Sequence, residues 1–163
     1  MNSNVKADEI AGAPICAGMT EAGVQALSLH LEARKHQPGD ILYREGSQEN
    51  TDLLIILEGQ IEASSEHTHG VSEMLKIRLG TGDVAGIMGF VGGKPHGGTG
   101  VAVSDCRVAH LSREQFSDLC RIHPDVGITM LRFLVIALDS FSVMLLSRYN
   151  YSLSFMHGSK KKS

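Results

Sequence analysis

The sequence predicts a mainly β fold, a sandwich or barrel, with one helix before the strands and two after them. Three observations carry this expectation. Between Pro38 and Leu111, short apolar runs alternate with turns rich in Gly, Asn and Asp, and the runs are too brief for helices. Beyond Leu111 the apolar spacing changes to three and four residues, the period of a helix. The whole chain of 163 residues, 42% hydrophobic and 20% charged, has the length and composition of one domain around one core.

The elements follow in order. Met19–Leu31 reads as a short helix with Thr20 as its cap and Ala26, Leu27 and Leu31 on its apolar side. Pro38-Gly39-Asp40 punctuates the chain, and strands then follow at ILY, LLIIL, IEAS and MLKIRL. They are separated by EGSQENTD, Glu58-Gly59, SEHTHG and GTGD, and VAVSDCRVAHL closes the β series. Asp40, Asp52 and Asp83 fall at turns, where their side chains are expected to cap local backbone. Ser112 with Gln115 three residues on forms a capping box for a helix carrying Phe116, Leu119 and Cys120. His123-Pro124 breaks that helix, and Asp125 opens the last one. There Ile128, Leu131, Val135, Leu138, Ser142 and Leu145 recur at helical spacing, while Met130, Leu134, Ile136 and Phe141 widen the apolar surface. That surface exceeds what one small β domain can cover, so a homodimer through residues 125–148 is expected.

The domain is placed at 19–148, between a flexible arm at 1–18 and a tail at 149–163. Lys plus Arg number 15 against 18 Asp plus Glu, a net charge of −3, which argues against a nucleic-acid groove running over the chain. Only about fifteen residues follow Arg148, so no direct nucleic-acid binding is expected, and a separate effector protein is a possible partner. Asp139 and Ser140 interrupt the longest apolar stretch, and no membrane span is expected. Three widely spaced cysteines, Cys16, Cys106 and Cys120, suit a reducing, cytoplasmic setting better than a disulfide framework.

Glycine is the unusual entry. The chain has 18, and seven fall within residues 86–100. The order of elements and its punctuation resemble the cyclic nucleotide-binding domain, the sensor module of catabolite-activator-type regulators, protein kinase A regulatory subunits and cyclic nucleotide-gated channels. HQPGDILYREGSQENTDLLIILEGQIEA, LGTGDVAG and VAVSDCRVAHLSREQFSDLCRIHPDV carry the resemblance, which covers about residues 20–148. It implies a double-stranded β-helix, jelly-roll-like, and a cassette whose backbone N–H groups hold a cyclic phosphate. In the family a Glu accepts from the ribose, and nine residues later an Arg pairs with the phosphate.

The candidate ligand-binding cassette is Gly86, Ile87, Met88, Gly89, Lys94, Pro95, His96, Gly97, Gly98 and Thr99. Gly86 and Pro95 stand where the family has Gly and Pro. Ile87 replaces the Glu and His96 the Arg, so both polar anchors are gone while the frame remains. Losing the ribose and phosphate contacts together costs several kcal/mol, on the order of a thousandfold in affinity. The resemblance therefore implies a non-enzymatic regulatory or sensor module with weak or altered ligand binding. Cyclic AMP, cyclic GMP or a small anion are the ligands it allows. Two alternatives stand beside it. One is an interaction module with a vestigial pocket. The other is a cupin-like metal protein using His67, His69 and Glu73, whose second motif would need His96 or His110. No paired carboxylates or nucleophile–base sets point to catalysis.

Overall fold

The computed structural model describes residues 3–65 and 75–158. Among them, nine strands form two antiparallel sheets. In the first, β1 (Ser3–Asn4), β2 (Glu32–His36), β9 (Cys106–Leu111), β4 (Leu53–Glu58) and β7 (Val84–Ala85) lie side by side in that order. In the second the order is β3 (Ile41–Tyr43), β8 (Thr99–Ala102), β5 (Ile61–Ser65) and β6 (Leu75–Leu79). The helices are α1 (Ala7–Ile10), α2 (Glu21–Leu29), α3 (Ile87–Gly92), α4 (Arg113–Ile122) and α5 (Pro124–Gly158), with a 3₁₀ turn at Pro14–Cys16.

Strand β4 explains the layering. Its first five residues, LLIIL, are all buried, and a strand's side chains alternate between the two faces of its sheet. Leu53, Ile55 and Leu57 join Leu27, Leu119 and Met130 in a core under the helices. Leu54 and Ile56 join Leu42, Ile61 and Ala102 in a second core between the sheets. β9 divides in the same way, with Ala109 and Leu111 facing the helices and Cys106 and Val108 the other sheet. The first sheet is thus covered on both sides, which accounts for the unbroken apolar run.

Several local expectations hold to the residue. Thr20 Oγ1 accepts from Gly23 N at 3.1 Å and starts α2. Ser112 Oγ accepts from Gln115 N at 3.1 Å, while Gln115 Oε1 accepts from Ser112 N at 2.8 Å, the expected capping box. Asp40 and Asp83 accept from Gln37 N and Gly80 N, each at 2.8 Å, and lock their turns.

Other expectations are corrected. The helices hold more of the described chain than the strands, so the architecture is mixed, two antiparallel sheets with several helices, and not mainly β. Residues 3–16 are no loose arm. Ile10 and Ile15 are fully buried, and Glu9 pairs with Arg107 of β9. β2, EARKH, lacks an apolar pattern and is held as a strand by its pairing with β9. VAVSDCRVAHL divides into the end of β8 and the whole of β9. The last helix runs ten residues past Arg148. Its segment Pro124–Ser147 is long and apolar enough to cross a membrane by length and composition, with a mean hydropathy of 1.9. One side of that segment is committed to the domain, since Val126, Met130 and Leu134 are buried in the helix-side core.

Asp52 does not cap a turn. Its carboxylate lies 3.2 Å from His110 Nδ1 and 3.7 Å from Arg34 Nη1. The bond to the Asp52 carboxylate requires the ring proton on Nδ1, and Arg34, whose Nη1 is 3.3 Å from that nitrogen, then stands beside the pair as a cation. The hydrogen bond from His110 holds the Asp52 carboxyl below the usual carboxylate range, with Arg34 adding to the effect. A carboxylate depressed in the folded state contributes stability above its unfolded value of about 3.9, and loses it as pH falls through the folded value. The destabilisation caused by Asp52→Asn is therefore expected to be full at neutral pH and to shrink below about pH 4. Urea unfolding of both proteins at neutral and acid pH measures it, and a pH-independent difference contradicts this role for Asp52.

Candidate functional site

A partly open cavity of about 390 Å³ lies beside α3. One wall is sheet: Ala63, Ser64 and Ser65 of β5 with Ile77 and Leu79 of β6. Another is the chain entering α3, from Val84 to Gly89. Tyr43, His96, Gly97 and Gly98 form a third, and α5 closes the space with Ala137, Leu138, Ser140, Phe141 and Met144.

Backbone geometry sets the entry to α3. Gly86 has φ of +76°, in the left-handed region, and a Cβ built there would lie 2.6 Å from the Asp52 carbonyl oxygen. Glycine alone satisfies both demands. α3 is then fixed at its other end by Arg113, whose Nε donates to the Phe90 carbonyl at 2.7 Å. Phe90 also packs edge-on against Phe116 at 5.3 Å, so α3 and α4 are held together.

His96, the residue at the expected phosphate anchor, is 4% exposed. Its ring stacks on Tyr43 at 4.7 Å, and Nε2 lies 3.1 Å from the Asn50 carbonyl. Its main chain is pinned as well, donating to Ser47 O at 3.0 Å and accepting from Gly46 N at 2.8 Å. Gly89 makes room for the ring, since a Cβ there would come within 2.8 Å of His96 Cε1. Burial pushes the Tyr43 hydroxyl up to about 12, so it stays neutral at any working pH. His96 is thus a packed member of the cavity wall.

Seven of the ten cassette residues line the cavity: Gly86, Ile87, Met88, Gly89, His96, Gly97 and Gly98. Lys94 and Pro95 are exposed and stand outside it. Thr99 turns its hydroxyl to Glu45, accepting from its backbone N–H at 3.1 Å. The sequence reading missed Tyr43, the β5–β6 wall and α5. The stripe Ala137, Phe141, Met144 at helical spacing was the available signal for α5, hidden by the larger apolar face beside it. His67, His69 and Glu73 lie outside the described residues. Among the described residues no group of His, Cys, Asp and Glu could hold a metal, and His110, offered as a second-motif ligand, is engaged with Asp52.

A cyclic nucleotide needs a cation for its phosphate and an acceptor for its ribose. Among the described residues, no Lys, Arg, Asp or Glu lines the cavity. Arg113, the basic side chain touching α3, is spent on main-chain carbonyls at the far end. What remains is backbone, the left-handed Gly86 ahead of a short helix, and the residues present do not fit the group tightly.

The cavity is a ligand-sized space shared by two β-sheets, a short helix and one long helix. The model of the cyclic nucleotide-binding domain family matches residues 33–123, more than half of the chain, and the chain belongs to that family. Among solved structures it is similar to the catabolite activator protein of Thermus thermophilus, at 25% identity and a TM-score of 0.69, over 82% of this chain and 62% of that one. The regulatory domain of Toxoplasma gondii PKA, crystallised with cAMP, matches at 19% identity and a TM-score of 0.67, over 83% of this chain and 48% of that one. A cyclic nucleotide-binding domain from Methylobacillus flagellatus matches at 19% and 0.68, over 96% and 83%. These two likenesses concern the fold alone. The chain spans less than two thirds of the T. thermophilus protein. No curated protein sequence matches it.

Gly89→Ala tests the packing of this wall. The added methyl must displace the His96 ring from Tyr43, and a loss of about 1–3 kcal/mol in urea unfolding is expected. Unchanged stability would mean that the ring has room to move.

Proposed function

We propose that this chain is a non-enzymatic regulatory module of the cyclic nucleotide-binding type, with weakened affinity for cyclic nucleotides and with α5 as its output and pairing element. The observation that carries this reading is the double use of α5. Its 137–144 stretch walls the cavity, while a different face is bare. Ile128, Leu131, Val135, Ile136, Val143 and Leu146 are all exposed large apolar side chains, with Val135 and Ile136 at 65%. A helix apolar on both faces needs a second surface to cover it, and the same helix in a second copy supplies one of matching length and chemistry. Three free cysteines, two of them buried, fit a reducing, cytoplasmic setting.

A change of occupancy at the cavity would act on α5 directly, because the ligand space and the helix share Leu138, Phe141 and Met144. The departures at Ile87 and His96 support weak cyclic nucleotide binding, and with no cation in the wall a small anion gains little beyond backbone N–H groups. Calorimetry with cyclic AMP and cyclic GMP at submillimolar ligand is expected to give dissociation constants above about 10 μM. A tighter value overturns this part of the reading.

The pairing part has its own test. Sedimentation without detergent is expected to give a dimer, and Val135→Glu a monomer at about micromolar concentration, because the charge would be buried unpaired at the interface. A monomeric wild-type chain, or one that pellets with lipid vesicles, contradicts pairing through this face.

A further inference from the structure

We infer that the cavity beside α3 is a binding site for an uncharged, largely hydrocarbon small molecule. The inference rests on the sensor reading above and adds the ligand's chemical class. The volume of about 390 Å³ falls in the range of small-molecule sites, roughly 300–1,000 Å³.

The walls select its chemistry. Ile77, Leu79, Val84, Ile87, Phe141 and Met144 surround the space from three directions. Among the described residues no ionised side chain lines it, so a phosphate or carboxylate entering there would lose its water without gaining a counter-charge. Three of the polar side chains in the wall are already engaged. Ser65 Oγ donates to Glu45 Oε1 at 3.1 Å, Ser140 Oγ donates to the Ile136 carbonyl at 2.9 Å, and His96 Nε2 is at the Asn50 carbonyl. A ligand with few hydrogen-bonding groups leaves all of these bonds in place. These three groups offer an ordered water few of the two to four polar partners it needs. Met88 of α3 and Met144 of α5 both line the space, and their unbranched side chains adapt to a ring or a branched chain. Ile87 and His96 thus follow one logic: each replaces a polar anchor with a side chain that suits an apolar guest or packs away from it.

The test uses the full chain and the neutral fluorescent probe N-phenyl-1-naphthylamine. Saturable binding at one site per chain in the micromolar range is expected, changing less than about twofold as salt rises tenfold. Cyclic AMP and cyclic GMP at millimolar concentration should leave the probe in place. Ala137→Trp fills the cavity from α5 and Ile87→Asp puts a charge in the wall at the start of α3. Each is expected to weaken the probe at least tenfold, with circular dichroism verifying the fold. Val135→Ser, on the bare face of α5, should leave it within about twofold. Loss in the Val135 variant alone places the probe on the exposed face and overturns the inference. If neither the probe nor a nucleotide binds, the ligand class falls and the regulatory reading stands. Displacement by nucleotide at low micromolar concentration overturns the inference and the weak-affinity reading together.

Discussion

The fold depends on the double burial of β4 against β9. Five consecutive apolar residues at 53–57 supply two cores, one against the helices and one against the second sheet, and β9 matches them residue for residue across the ladder from Leu53 to Ile56. No side of this pair is available to solvent. The helices therefore lie on one face and the second sheet on the other, and β7, paired to β4 at Leu54 and Ile55, delivers the chain to Gly86 at a fixed place. The cavity exists where it does because β4 leaves no freedom in how the chain reaches α3.

Much of this was legible in the sequence where the signal is local. LLIIL, the capping box at Ser112 and the turns at Asp40 and Asp83 each carry their own chemistry within a few residues. The cassette was legible as a departure, since Ile87 and His96 occupy positions whose usual chemistry they cannot perform. What could not be read depends on partners far along the chain. His96 meets Tyr43, 53 residues away, only because β3 pairs with β8. Val5, Ile10 and Ile15 recur every five residues, a spacing that fits neither the helix nor the strand period, yet all three are buried. EARKH becomes a strand through its neighbours and despite its polarity. Asp52 reads as turn chemistry until β9 brings His110 beside it.

The glycine excess also changes meaning with coordinates. Seven glycines in fifteen residues suggest a loop kept loose around a ligand. Gly86 and Gly89 are instead places where another group comes too close for a side chain, the Asp52 carbonyl in one case and the His96 ring in the other. The segment is crowded, and its glycines are the means of crowding. The apolar guest space lies next to this tightly built shoulder, with the helix opposite it as the wall least constrained by the sheets.

That helix has a length worth converting into distance. Thirty-five residues at 1.5 Å each make α5 about 52 Å long, far more than the width of the sheets it leaves. Near its start Gly127 lies hard against α4, where a Cβ would come within 2.5 Å of Cys120 Sγ, so that end is pinned. Met130 and Leu134 extend the held stretch, and Met144, about 15 Å beyond Leu134, lines the cavity. By simple leverage, a tilt of about 5° beyond Leu134 carries Met144 through about 1.3 Å and the far end through more than twice that. A displacement smaller than a methyl group at the cavity wall thus becomes a change in reach that a second molecule, docked along the rod, would register.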